Sequence, residues 1–369
     1  MRPGARADGK KNMTKAHLTT TAGLIVCLLN ACTALPDKLM FNMPTGSLEP
    51  GNQQVWPRPP QIPRYLYLGD IRGESSHVQV SKNKTSTLSR FFSALVGLEN
   101  ESIPLINLVR PQQGAVDGKG RIYVADPGRQ AVFVFDETTG EFLIWNEDEL
   151  NIPFKSPVGI AIAENTILVT DSEQGVVYVF SEEGQLINTI GEETLQRPTG
   201  VAYDPLHKRV FVSDTRDNNI KIFDPEGNLL NVLGYRGSNP GEFNHPTFLN
   251  YNDNKLYVAD SLNARIQIFS ELDEGIKIVG ERGLYVGNFT RPKGIAVDSD
   301  GNVYVTESYY DHLLIFSPTG ELLMSIGGSG DLAGQFSQPT GVWIDSMDRL
   351  YVSDMLNSRI SLFQYLGGN

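Results

Sequence analysis

The sequence predicts an all-β fold: a six-bladed β-propeller of four-stranded blades, with an N-terminal strand closing the last blade and a short helical insertion. Three observations predict it. First, six segments after residue 109 share one pattern that opens on a proline, at 111, 157, 198, 246, 292 and 339, so the steps run from 41 to 48 residues. A period in the forties built from short alternating strands is that of propeller blades. Second, each unit reads as four short strands. In the fifth these are 294–298, 303–306, 312–316 and 322–326, with turns at Ser299-Asp300-Gly301 and Pro318-Thr319-Gly320. Third, 36 glycines and 21 prolines are dispersed along the chain, as many tight turns require.

The elements follow in chain order. Residues 1–15 carry Arg2, Arg6, Lys10, Lys11 and Lys15 against Asp8, and an apolar run follows at 22–29. That run is too short to span a bilayer as a helix, and the pattern predicts a secretory signal peptide over 1–31. Leu29-Asn30-Ala31-Cys32 resembles a bacterial lipobox, which implies acylation of Cys32. The two cysteines are Cys27 and Cys32; Cys27 falls inside the discarded segment, so Cys32 alone would remain. In a Gram-negative envelope, Thr33 after the cysteine, rather than an aspartate, resembles lipoproteins sorted to the outer membrane. Residues 32–63 hold seven prolines within 33–63 and little apolar periodicity, which predicts an extended tether. On that reading, removal of 33–60 would leave folding almost untouched.

The propeller body is expected over 64–369. The chain ends just after the third strand of the sixth unit, so that blade lacks a fourth strand. Residues 65–71 resemble the fourth strands elsewhere and are expected to complete it. Between that strand and the first unit lies an insertion, 74–109. Its residues 88–98 place apolar side chains at 88, 91, 92, 95, 96 and 98, a pattern for a short amphipathic helix that covers the ring or docks a partner.

The linkers 234–246, 280–292 and 327–339 obey one spacing, G-x2-G-x3-G-x-F-x2-P. They lead into strands rather than a helix N-terminus, so they are not phosphate loops. Segments 257–269 and 351–363 carry an Asp at the end of the second strand, then an Asn and an Arg. With these motifs the repeats resemble the NHL-repeat family of six-bladed propellers, over nearly everything after residue 109. Some six-bladed relatives are lyases that hold zinc with histidines just after the repeat proline. The matching residues here are Gln112, Val158, Thr199, Thr247, Lys293 and Thr340, with no histidine among them. RNA-binding relatives use a basic face. This chain has 43 acidic against 31 basic residues and a net charge of −12, so no nucleic-acid partner is expected.

One face of a propeller collects the loops that enter the first strand and those that join the second to the third. Asp126, Asp171, Asp214, Asp260, Glu307 and Asp354 ring this face. Six carboxylates resemble a metal ring, but an acid recurring at a strand end before a tight loop is expected to accept backbone N–H groups. A ligand site is expected where the symmetry breaks, in units 4–6. Phe248 replaces a glycine, Trp343 replaces an alanine, and Glu307 replaces an aspartate. Tyr309, Tyr310 and His312 fill the following loop, and His245 precedes the fourth proline. These seven residues form the candidate ligand-binding set; the aromatics among them have packing between blades as their other reading. No catalytic residue, metal ligand or cofactor is assigned, because no nucleophile elbow and no HExxH are present. The expected function is a lipid-anchored propeller of the cell envelope that binds a protein, peptide or glycan. The alternative is a metal-dependent lyase or lactone hydrolase using the face of units 4–6.

Overall fold

The second and third strands of each unit are nearly continuous apolar runs, such as Arg121–Asp126 and Ala131–Asp136, and almost every residue in them is buried. A strand buried on both faces needs a partner sheet on each side. A ring of radially packed sheets supplies this. The computed structural model describes residues 39–46, 53–79, 105–147, 151, 153–270 and 275–367. Five four-stranded antiparallel sheets follow chain order, at 114–145, 157–190, 198–233, 246–279 and 292–327; these are blades 1–5.

Blade 6 takes its first three strands from 339–365 and its next from Tyr65–Ile71. The clasp pairs antiparallel with Arg359–Tyr365, from Ile71 opposite Ile360 to Tyr65 opposite Tyr365. The expected closure is therefore observed. The core is distributed over the interfaces between blades. Tyr123, Trp145, Phe154 and Phe180 pack between blades 1 and 2. Tyr65, Tyr304, Phe336 and Phe363 pack between blades 5 and 6. Ile71, Phe133, Trp343 and Tyr351 pack between blades 6 and 1. The clasp thus contributes a buried residue to each of the last two interfaces.

One expectation is corrected. The proline-rich segment is not a free tether along its length. Val55–Trp56 adds a fifth strand outside the clasp, with Trp56 edge-on to Phe363 at 5.6 Å. Leu39–Phe41 pairs with His77–Gln79, and Phe41 lies 5.2 Å from Phe135 with its N–H donating to the Gly140 carbonyl. Large side chains anchor these strands in spite of the prolines between them. Deletion of 33–60 is accordingly expected to cost stability. Within the insertion, His77–Gln79 is a strand. The expected helix over 88–98, the signal segment 1–31 and Cys32 lie outside the described residues. Among the described residues, no helix is long and apolar enough to cross a membrane.

Candidate functional site

The antiparallel order sets which loops share a face. Linkers into first strands and loops between second and third strands gather on one side, here called the upper face. Hairpins 1–2 and 3–4, including that of His207, lie on the other. The second strand of every blade ends in a buried carboxylate on the upper side. Each accepts a backbone N–H from the incoming linker: Val109 to Asp126 at 2.6 Å, Lys155 to Asp171 at 2.7 Å and Gln196 to Asp214 at 2.7 Å. The same bond joins Asn244 to Asp260 at 2.7 Å, Thr290 to Glu307 at 2.9 Å and Ser337 to Asp354 at 2.7 Å. The recurrent acid is a bracket for the linker, as its position suggested. Among the described residues, no three of His, Cys, Asp and Glu are gathered as a metal would need. Burial pushes the Asp126 and Asp354 carboxyls above the usual carboxylate range, in spite of the N–H groups pointing at them.

The Asp–Asn–Arg signature has a further use in blades 4 and 6. Arg265 Nε donates to Asp260 at 2.8 Å, while its terminal nitrogens donate to the Ser238, Asn239 and Glu242 carbonyls. Arg359 does the same with Asp354 and with the Asp331, Leu332 and Gln335 carbonyls. A charged donor thus satisfies the turned-in carbonyls of a Gly-rich linker, which have no sheet partner. These linkers are rigid platforms.

The seven candidate residues separate. Glu307, Tyr310 and His312 line one depression of about 90 Å³, whose opposite wall is the linker tip 284–288. The Glu307 oxygens are taken up by the N–H groups of Thr290, Arg291 and Tyr309. Tyr310 and His312 therefore form the usable wall. Tyr309 is 59% exposed and stands edge-on to Tyr310, ring centres 4.9 Å apart. His245 is exposed at a left-handed φ of 53°; its N–H donates to Asn218 Oδ1, and its ring Nδ1 lies 3.1 Å from Asn244 Oδ1. It does not line the depression. Phe248 and Trp343 do not line it either, because both are buried near the axis. Trp343 stacks on Tyr351 with an interplanar angle of 6°, and a Cβ at Gly114 would strike its indole. Trp343 fills space between blades 6 and 1, and Phe248 is buried.

Sequence reasoning missed the linker tip. Leu284, Tyr285 and Val286 are 81%, 86% and 62% exposed. The signal was present, since the three positions between the second and third glycines read LYV here but SNP and DLA in the sister linkers. Tyr235 and Leu332 stand exposed on those sister linkers. Tyr309 is likewise exposed, so blades 4–6 each carry exposed apolar side chains on the upper face.

Fold and site together define a class: a six-bladed β-propeller with exposed apolar side chains on the upper-face linkers and loops of blades 4–6. The family model for the NHL repeat matches residues 289–315, from just before the first strand of blade 5 into its third. No curated protein matches the chain by sequence. Among solved structures, the chain is similar to an auxiliary nutrient binding protein from Bacteroides thetaiotaomicron, with a TM-score of 0.58 at 12% identity over 89% of this chain and 77% of that one. It is similar to virginiamycin B lyase from Staphylococcus aureus, with a TM-score of 0.52 at 13% identity over 70% of this chain and 96% of that one. It is also similar to a chain of a nidogen–laminin complex, with a TM-score of 0.50 at 17% identity over 71% and 92% of the two chains. At these identities the likeness is one of fold.

Proposed function

We propose that this chain is a non-catalytic binding module of the cell envelope, tethered through an acylated Cys32, with its binding surface on the upper face of blades 4–6. The observation that carries the reading is the exposed tip of Leu284, Tyr285 and Val286 walling the Tyr310–His312 depression, with Tyr235, Tyr309 and Leu332 also exposed on the upper face. Exposed aromatics in a contiguous patch rimmed by polar residues are the usual mark of an interaction surface. The loops beneath are braced by buried ion pairs, so the surface is already organised before a partner arrives. Fold likeness to nutrient-binding and laminin-complex propellers agrees with a binding role. The partner class is a protein, peptide or glycan of the envelope. The lyase or lactone-hydrolase reading has no such observation behind it.

The double substitution Tyr309→Ala/Tyr310→Ala tests the surface. Tyr309 is exposed and Tyr310 half-buried, so the melting temperature should fall by no more than about 3 °C. Recovery of a partner from envelope extract should drop by about tenfold or more. A folded variant with undiminished recovery would move the binding surface elsewhere on the ring. The anchor is tested separately. Cys32→Ser should release the protein from the membrane fraction or leave it unprocessed, and a processed, membrane-bound variant would refute the lipid anchor.

A further inference from the structure

A cavity of about 770 Å³ opens on the side opposite the upper face, between the strand 1–2 hairpins of blades 4, 5 and 6. A volume of this order holds a small-molecule ligand. Its walls are tied to one another. Lys277, at the start of the fourth strand of blade 4, donates to the Pro318 carbonyl of blade 5 at 2.7 Å. The hydroxyl and N–H of Ser299 in blade 5 donate to Asp348 of blade 6 at 2.6 and 3.1 Å. Ile268, Val297, Val303 and Ile344 give the lining an apolar part.

Blade 4 leaves two polar side chains free in this cavity. In blades 1, 5 and 6 the sixth residue after the repeat proline is an aspartate, and a tyrosine of the second strand, three residues before the recurrent acid, donates its hydroxyl to it. Tyr123 does so to Asp117 at 3.1 Å, Tyr304 to Asp298 at 2.7 Å and Tyr351 to Asp345 at 3.0 Å. Blade 4 keeps the tyrosine, Tyr257, but has Asn252 in place of the aspartate. Both residues line the cavity. Tyr257 is 6% exposed, yet among the described residues its hydroxyl has no hydrogen bond, and neither has the side-chain amide of Asn252. Burial pushes the phenol pKa up, so the hydroxyl is protonated and able to donate at neutral pH. A buried hydroxyl without a partner is unfavourable. This one has lost the acceptor its sisters have and faces space that a ligand can fill.

We propose that this cavity binds a small neutral saccharide, whose hydroxyls meet Tyr257 and Asn252. The charges on its walls select the ligand class. Lys255 and Lys277 line the cavity together with Asp253, Asp300 and Asp348. The lysines oppose a cationic ligand and the aspartates oppose an anionic one. A neutral ligand rich in hydroxyls suits both, because each hydroxyl donates as well as accepts. Carboxylates take its protons and ammonium groups give theirs, in charge-assisted hydrogen bonds. The C–H faces of a sugar ring find the apolar part of the lining. The site is independent of the upper-face surface: substitution at Tyr309 and Tyr310 should leave saccharide binding unchanged.

Calorimetric titration of the full chain, in a zwitterionic detergent free of sugar, provides the test. The probes are glucose, galactose, N-acetylglucosamine, maltose and lactose, with spermidine and citrate as charged controls. At least one sugar should bind saturably with a Kd below about 1 mM, and the charged controls should not bind. Tyr257→Phe removes only the unpaired hydroxyl, so it should weaken binding by about threefold to tenfold and leave the melting temperature unchanged. Asn252→Asp restores the acceptor of the sister blades, so it should raise the melting temperature while weakening binding by a similar factor. Absence of saturable binding of any of these sugars up to about 10 mM would overturn the proposal. So would binding of spermidine or citrate in their place, or sugar affinity undiminished in both variants.

Discussion

Deleting residues 64–72 is expected to unfold the propeller or drive it to aggregate. The clasp buries Tyr65 and Ile71 and covers Ile360, Leu362 and Phe363, all almost inaccessible to solvent in the closed ring. Tyr65 also donates or accepts a hydrogen bond with Tyr304 of blade 5 at 3.0 Å, so its loss leaves a buried phenol short of a partner. At about 1.5–3 kcal/mol per large buried side chain, the five residues together exceed about 7 kcal/mol. That is comparable with the whole stability of a typical domain. The exposed third strand would then be an unpaired edge of apolar residues, a template for aggregation. Deleting 33–60 should do less but should not be silent. Phe41 and Trp56 are single anchors, each worth about 3–5 kcal/mol if fully buried, and Trp56 is only partly so. Thermal melts of the two deletions decide the matter. Equal midpoints would refute the clasp as the closing element.

Arg359→Met is expected to be the most damaging single substitution in the ring. Arg359 is 2% exposed. It joins Asp354, the linker carbonyls of Asp331, Leu332 and Gln335, and Asp70 on the clasp at 2.9 Å. Methionine fills much of the volume but leaves Asp354 without its cation, Asp70 with Arg72 alone, and the Asp331 and Gln335 carbonyls without their charged donor. Removing one partner from such a buried network costs about 3–5 kcal/mol. Arg265→Met in blade 4 removes the same clamp without touching the clasp, so it should cost less and leave the N-terminal strand protected from protease. Urea midpoints and limited proteolysis at the clasp give the comparison. If Arg359→Met stays within about 1 kcal/mol of the parent, the ion network is not what holds blade 6 shut.

The sequence placed the candidate residues only in part, and the misplacements have a common cause. Asp126 and its five counterparts were readable because an acid repeated in every unit must answer a need of the blade. Tyr309, Tyr310 and His312 were readable because they sit in a loop and break the repeat. Phe248 and Trp343 break it as well, yet they lie inside the ring. A substitution at a first-strand position and one in a loop look alike in sequence; only the packing distance to Tyr351 or to Gly114 separates them. Leu284, Tyr285 and Val286 were passed over because the linker was read for its glycines, which set its path, and not for the residues between them.

The sequence by itself determined the number of blades, the strand order within each and the need for an N-terminal strand. These follow from the repeat of prolines, turns and apolar runs, all local or periodic properties of the chain. Only the tertiary structure decided what the proline-rich segment does. Leu39–Phe41 and Val55–Trp56 are too short to carry a period, and their partners, His77–Gln79 and Tyr65–Leu66, become neighbours only once the chain has folded. The same holds for the proposed binding face. The depression between Tyr310, His312 and 284–288 joins a blade loop to a linker. Side chains far apart in sequence acquire a common surface only when the ring closes, because closure alone fixes which loops face the same way and how near the axis each residue stands.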